Sequence, residues 1–458
     1  MRRTAPVAAL AAVAALWLTG CSDDTTAPRA EPTAPVAFAV TPEMVAQVRQ
    51  LAAAQGITAV PRPAPVRPEL MRLGQALAFD KELSGNRDIS CMSCHLAGAA
   101  TVDQRSLAIG QGATGLGLAR VHPQGTFVHR SAPALFNLHA MTMLTWDGRV
   151  FLNASNKVQT PQVSLLASER AALEFGPLSA LPMFPVLSRP EMRGTSGNEL
   201  AAIADSDPRK TWRFLMRRLG AIPTYRTMFE AAYPGQQFDN MNFAHAGNAM
   251  GAWIAGAFPA TNSPWDRFLA GQDAALTEQQ LRGAQAFLGV AKCSQCHNGP
   301  LLSDNKFHNV LVPQVGPGFG DGADGHDDFG RMRVSKNVKN KYQYRTPPLR
   351  NVELTAPYGH DGAITTLRGW VDHYSQADAK LRAYNPGQLE PLLQTTLQPT
   401  VADILLTRDF RINKLTLAPD MVDDITEFLK ALTDPGARDL SRFVPDSVPS
   451  GLPVDRLP

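Results

Sequence analysis

Cysteine is scarce in this chain, five in 458 residues, and neither sign of charge dominates, with 44 basic against 41 acidic residues and a formal net charge of +3. The near balance excludes the strong basic field that recruits nucleic acid or an acidic membrane surface. Strand-like alternation of apolar and polar residues is also rare, while Gly and Pro punctuate long loops, so the fold is read as mainly α. The apolar run from Val7 to Leu18 falls short of the about 20 residues that a membrane-crossing helix needs. The chain is too long for one ordinary core, which predicts two domains behind a leader.

What is present at the start is Arg2-Arg3, that short apolar run, and then Leu18-Thr19-Gly20-Cys21. This reads as a secretory leader over residues 1–20. Its small residues and cysteine resemble a bacterial lipoprotein signal, with Cys21 as the lipidated first residue of the mature protein. Ser22 after that cysteine favours the outer membrane, so the expected location is the periplasm, held to a membrane by lipid. Residues 21–36 carry Pro, Thr, Ala and charge without apolar period, and read as a disordered tether.

With Cys21 assigned to lipid, the other four cysteines fall as Cys91-Met92-Ser93-Cys94-His95 and Cys293-Ser294-Gln295-Cys296-His297. Cys-x-x-Cys-His is the attachment signature of c-type haem. Two thiols three residues apart reach the two vinyl groups of one porphyrin, and the adjacent histidine lands beneath the iron. Zinc sites and thioredoxin-like pairs also use Cys-x-x-Cys, but two copies, each followed directly by His in an exported chain, favour haem. The reading is two covalently bound c-type haems, with His95 and His297 as proximal iron ligands.

A helix is predicted before each motif. Pro68 opens the first, with Leu70, Leu73 and Leu77 on one face; a Thr277/Gln280 capping box opens the second, with Leu281, Ala284, Phe287 and Leu288 on one face. Val422, Ile425, Phe428, Leu429 and Leu432 form a later amphipathic stripe. Helix before haem and helix at the domain's end is the arrangement of a cytochrome c fold. With Phe258 to Pro264 as linker, the expected division is a first haem domain over 37–262, a second over 263–441 and a tail over 442–458.

Several blocks around these motifs resemble the bacterial di-haem cytochrome c peroxidases, a superfamily that includes the MauG-type protein-oxidising enzymes. They are Arg130 to Asn137, Thr145 to Arg149, Pro190-Glu191-Met192, Gly330-Arg331-Met332, Thr346 to Asn351, and Pro357 to Gly362, in the family's order between about Pro68 and Thr433. The resemblance implies hydrogen peroxide as substrate, a peroxidatic first haem on His95 and an electron-transfer second haem on His297. It implies Met332 as the second haem's other axial ligand, a thioether that raises the potential. It implies Glu191 as the general acid and base over the first haem and Trp146 as the relay between haems. An inserted stretch, Leu178 to Leu187, precedes Glu191. His360 and Arg350 are assigned to holding loops and haem propionates. Calcium, which many relatives bind between domains through an asparagine, is allowed but not supported, since Ser131 stands at that position.

One departure matters. Many relatives close the first iron with a distal histidine, where this chain reads Ala108-Ile109-Gly110-Gln111, and an amide is a poor iron ligand. The sixth position is thus expected to be open, unless His122 or His129 fills it. Three readings follow: a peroxidase fed by a small cytochrome c or cupredoxin, a MauG-like peroxide-dependent oxidase of a partner protein, or a non-enzymatic di-haem electron carrier. Met332 favours the first and Gln111 the second, while Glu191 and Trp146 argue against the third. A second copy of the chain, as in a homodimer, is left open as a further partner.

Overall fold

The computed structural model describes residues 40–412 and 415–457. The leader, Cys21 and the 21–36 tether lie outside the described residues. The chain is mostly helical, with two small antiparallel sheets, as the scarcity of alternation predicts. No helix among the described residues is long and apolar enough to cross a membrane.

The helices that position the site begin where the sequence signals them. Helix α1 (Pro42–Ala54) is capped by the Thr41 side chain, and α2 (Pro68–Phe79) starts on Pro68, whose missing N–H costs nothing in a first turn. Further along come α3 (Pro208–Gly220), α4 (Phe243–Ala257) and α5 (Glu278–Leu288). The Thr277/Gln280 box is formed at α5, with Gln280 Oε1 accepting from Thr277 N at 3.0 Å and Thr277 Oγ1 from Gln280 N at 3.2 Å. Helix α6 (Leu367–His373) and α7 (Pro419–Lys430) complete the set, and α7 buries Val422, Ile425, Phe428 and Leu429 as its stripe predicts.

Two hydrophobic clusters organise these elements. The first gathers α2, α4 and the turns between them around Leu73, Leu77, Trp253 and Phe258; the second gathers α5 and α7 around Leu281, Phe287 and Phe428. Each fully buried large apolar side chain contributes about 1.5–3 kcal/mol. Each cluster is closed by the same device, a glycine at a helix crossing. A Cβ on Gly74 of α2 would stand 1.9 Å from the Ala249 carbonyl oxygen of α4, and one on Gly283 of α5 would stand 1.9 Å from that of Asp424 on α7. Only glycine allows the backbones so close, and both crossings brace the helix that leads into a Cys-x-x-Cys-His motif.

Two segments pack away from their neighbours in sequence. Helix α1, inside the span expected for the first haem domain, packs into the second cluster through Val45, Val48 and Ala52. The 442–458 tail lies on the first half, where Ser450 Oγ donates to Asp80 (2.7 Å) and Asp455 pairs with Lys81 (2.6 Å). The sheets are short. Met143–Leu144, Val150–Leu152 and Val158–Gln159 form one, and Phe307–His308 pairs with Tyr344–Arg345 in the other, Phe307 opposite Arg345. They hold the segments that carry Trp146 and Arg345.

Candidate functional site

Each Cys-x-x-Cys-His motif forms a tight turn, Cys91–Ser93 or Cys293–Gln295, closed by the histidine N–H on the first cysteine's carbonyl (3.0 Å from His95, 2.9 Å from His297). The histidine Nδ1 atoms then donate to backbone carbonyls, His95 to Thr101 (3.1 Å) and His297 to Leu302 (2.9 Å). Both acceptor residues are held in the left-handed region, Thr101 at φ +63° and Leu302 at φ +52°. That conformation costs about 1–3 kcal/mol for a branched residue, so the surrounding fold enforces it. With the proton fixed on Nδ1, Nε2 keeps its lone pair, the form in which imidazole binds a metal. Burial reinforces this by lowering both imidazoles, His297 to about 4.

Both motifs open on one cavity of about 560 Å³ whose walls include all four motif cysteines and both histidines. The cysteines form no disulfide, and burial pushes the thiols up, Cys91 to about 11 and Cys293 to about 12. Paired buried thiols beside a neutral histidine on an apolar cavity are the donor set that a covalent haem requires, so these residues fit the group.

Glu191 lines the same cavity. It sits in a widened turn, Arg189–Arg193, of the π-helical kind that recurs at functional sites. Arg189 and Arg193 pin that turn to Asp205 at 2.9 and 2.6 Å, and Gly194 ends it at φ +87°. Burial raises the Glu191 carboxyl above the usual range, opposed by Arg149, Ser188 and Arg130. The inserted stretch before it folds as helical turns, from which Leu181, Pro182, Phe184 and Pro185 furnish apolar wall. The insertion thus adds apolar wall to the cavity that Glu191 lines.

Trp146 also lines the cavity, its indole N–H donating to the Ser131 carbonyl (3.0 Å) and its own carbonyl accepting from Arg345 N (2.8 Å). Arg130 joins the two halves through buried ion pairs to Asp147 (2.8 Å) and Asp328 (2.6 Å). His360 stacks on Tyr344 at 3.6 Å between ring centres and lines the cavity, whereas Arg350, also on the wall, is paired with Asp266 at 2.8 Å. Among the described residues, the one cluster of side chains close enough to hold a metal ion is Cys296, Asp304 and His308, which shares a cysteine with the second motif.

Not every expected residue reaches this cavity. Gln111 lies outside it, its amide packed against Gly194 and its backbone N–H donating to the Glu191 carbonyl (2.9 Å). Buried Arg120 fixes this loop from behind by donating to the carbonyls of Ile109 (2.6 Å), Gly110 (2.8 Å) and Gly115 (3.0 Å). His122 accepts from Gln124 N on Nδ1 (3.1 Å) and stays off the wall. His129 is on it, tilted against Phe319 at 4.1 Å between ring centres, with a buried Nδ1 that has no hydrogen-bond partner.

Met332 is not brought to the cavity either. It begins a short, half-exposed helical turn, Met332–Ser335, and lines no part of the wall. Tyr374, at the end of α6, does stand on the wall beside the second motif, with its phenol raised by burial and by the nearby Cys296 and Cys293 thiols; His308 lines the wall there too. Trp370 holds it edge-on at 5.7 Å, and His373 is tied to the Val310 carbonyl at 2.8 Å. Tyr374 and Arg345 escaped the sequence reading because no short motif surrounds Tyr374 and Arg345 just precedes the recognised Thr346 block.

Comparison with known proteins shows a family and fold to which the chain is similar. Residues 68–274 match the model of the di-haem cytochrome c peroxidase family. The chain is 30% identical over 338 residues to the cytochrome-c peroxidase IdrP1 of Pseudomonas sp. (strain SCT), covering 69% of this chain and 74% of that protein. It is 25% identical to the methylamine utilization protein MauG of Methylorubrum extorquens, covering 70% of this chain and 72% of that one. Among solved structures, a MauG-like protein associated with microbial copper homeostasis superposes with a TM-score of 0.58 at 25% identity, over 84% of this chain and 96% of that one.

Proposed function

This chain belongs to the di-haem cytochrome c peroxidase family, and from that premise we propose that it reduces hydrogen peroxide at a first haem bound through Cys91, Cys94 and His95, with electrons arriving through a second bound through Cys293, Cys296 and His297. The protein is an oxidoreductase of the peroxidase type, and its cofactor is haem. The observation that carries the finer reading is the single cavity on which two neutral histidines, four unpaired thiols and one raised carboxyl converge.

Peroxide reduction consumes two electrons and two protons and releases two waters. Bound haem would pass on two electrons from an external reductant, and the two protons that complete the second water come from solvent; the chain's own part is to move the peroxide's proton and shelter it. Glu191 takes a proton from the near peroxide oxygen and returns it to the far one, which leaves as water, a role for which a raised carboxyl is suited. The apolar wall from Leu181 to Pro185 keeps bulk water from competing for that proton. Trp146 is the residue proposed to pass charge between the two sites. Tyr374 rather than Met332 would hold the second haem's iron together with His297, because it stands on the cavity wall and Met332 does not. The leader and Cys21 support an exported, lipid-anchored protein in the periplasm that meets a small cytochrome c or cupredoxin donor.

Tyr374 also favours a second reading. A phenol oxygen on iron lacks the potential-raising effect of a thioether, which suits oxidation of a partner protein, as in the MauG-like alternative, better than uptake of electrons from a high-potential donor. Pyridine haemochrome analysis is expected to find two covalent haems per chain, with Cys293→Ala removing one; a single haem in the wild type ends both readings. Peroxide consumption coupled to a reduced small cytochrome supports the first, and consumption without such coupling supports the second.

A further inference from the structure

Where the two halves meet, the cavity carries a buried positive charge that makes no ion pair and feels only the field of Asp147. Arg345 is 6% exposed and lines the cavity. Its backbone N–H is bonded to the Trp146 carbonyl (2.8 Å), its Nε to the Thr145 carbonyl (3.0 Å) and its Nη1 to the Thr346 carbonyl (2.9 Å). Nη2 has no hydrogen-bond partner among the described residues, and no carboxylate pairs with this side chain.

The neighbouring acids are already used. Asp147 is paired with Arg130 (2.8 Å) and Arg149 (3.0 Å), and Asp328 with Arg130 (2.6 Å). Three guanidinium groups thus face two carboxylates. Glu191, the other acid on this side, lies in the field of Arg149 and Arg130, and burial holds it toward its neutral form. A buried cation without an anion is costly by several kcal/mol, so an anion that reaches the open Nη2 gains by completing it. Desolvation already pulls the Arg345 guanidinium down to about 10.

We propose that Arg345 is a positioning residue that binds a haem propionate through its free Nη2 edge and fixes that carboxylate against the backbone of Trp146. The inference rests on the covalent-haem reading. Haem brings its own carboxylates, and a guanidinium whose Nε and Nη1 are held on two backbone carbonyls is an oriented receptor for one. The contact ties the cofactor to the Thr145-Trp146 segment, so the haem edge and the relay indole keep one register. It also places a positive charge at the haem periphery, which favours the reduced state of that haem.

The test uses the holoprotein, after haemochrome analysis has established two haems. Arg345→Met keeps the length of the side chain and removes its charge; Arg345→Lys restores the charge without the planar fork. Spectroelectrochemistry should show the midpoint potential of one haem falling in the Met variant and recovering in the Lys variant. The propionate bending band in resonance Raman should shift in both. Unchanged potentials and bands in a fully loaded Met variant overturn the proposal. If that variant does not fold or load, a crystal structure of the wild-type holoprotein decides: a propionate oxygen within about 3 Å of Nη2 supports it, and none within hydrogen-bond reach overturns it. Fewer than two haems in the wild type instead removes the reading on which it stands.

Discussion

Replacing Glu191 by Gln keeps the size and the hydrogen-bonding shape of the side chain and removes its exchangeable proton. The carboxyl is buried, raised, and on the cavity wall between an apolar insertion and the Arg149/Arg130 pair. General acid–base catalysis contributes about 10²–10⁴-fold, so the Gln variant should lose at least about 100-fold in peroxide turnover, equivalent to about 2.7 kcal/mol of barrier. Glu191 must be ionised to accept the first proton, so wild-type activity should fall as pH drops through its raised pKa, and that limb should vanish in the variant. Stability moves the other way. A carboxyl with a folded pKa above its unfolded value stabilises the fold fully below the unfolded pKa, and that contribution is lost as pH rises through the folded pKa. Gln stays neutral throughout, so above that pH the variant should unfold at higher denaturant than the wild type. The assay is steady-state peroxide reduction against pH beside urea unfolding, both on protein with two haems per chain. An unchanged turnover number, or an acidic limb that survives in the variant, refutes the role given to Glu191.

Two further outcomes are expected. Electron paramagnetic resonance of the ferric protein as isolated should show one high-spin and one low-spin haem, since Gln111 and His122 stay off the cavity wall; two low-spin signals that His129→Ala converts to one would place His129 on the first iron. Tyr374→Met should raise the potential of the low-spin haem, whereas Tyr374→Phe with the second haem's spectrum and potential unchanged would return the ligand role to Met332.

Three of the helices were legible because their signals are local. The Thr277/Gln280 box, Pro68 at a first turn and the α7 stripe are set by residues within a few positions of one another. The motif histidines were legible for the same reason. What escaped was tertiary. Val45, Val48 and Ala52 mark an apolar face on α1, but nothing in their spacing says which core receives it. Gly74 and Gly283 read as weak points in their helices until the crossing backbones are seen at their surface. Met332 carried a familiar neighbourhood and Tyr374 none, yet an axial position is decided by which segment returns over the cavity. The polarity of the Arg345 site could not be read from sequence, because its vacancy depends on Asp147 and Asp328 being spent on other arginines.

The two halves share their proximal chemistry so closely that the difference between the haems has to originate on the other face. His95 and His297 each donate Nδ1–H to a carbonyl of a left-handed residue, at 3.1 and 2.9 Å, so both imidazoles are held in the same tautomer. A proximal histidine held this way in both sites cannot by itself make one iron bind peroxide and the other pass electrons. The cavity walls differ instead. One side presents Glu191, a raised acid behind an apolar insertion, which can serve peroxide but is not placed here as an iron ligand. The other presents Tyr374, an aromatic oxygen beside Cys293 and Cys296. Between them, Arg345 is fixed to the carbonyls of Thr145 and Trp146. On the proposed function, the residues opposite the motifs would divide the labour, and a variant that exchanged only the proximal hydrogen bonds should leave the roles of the two haems in place.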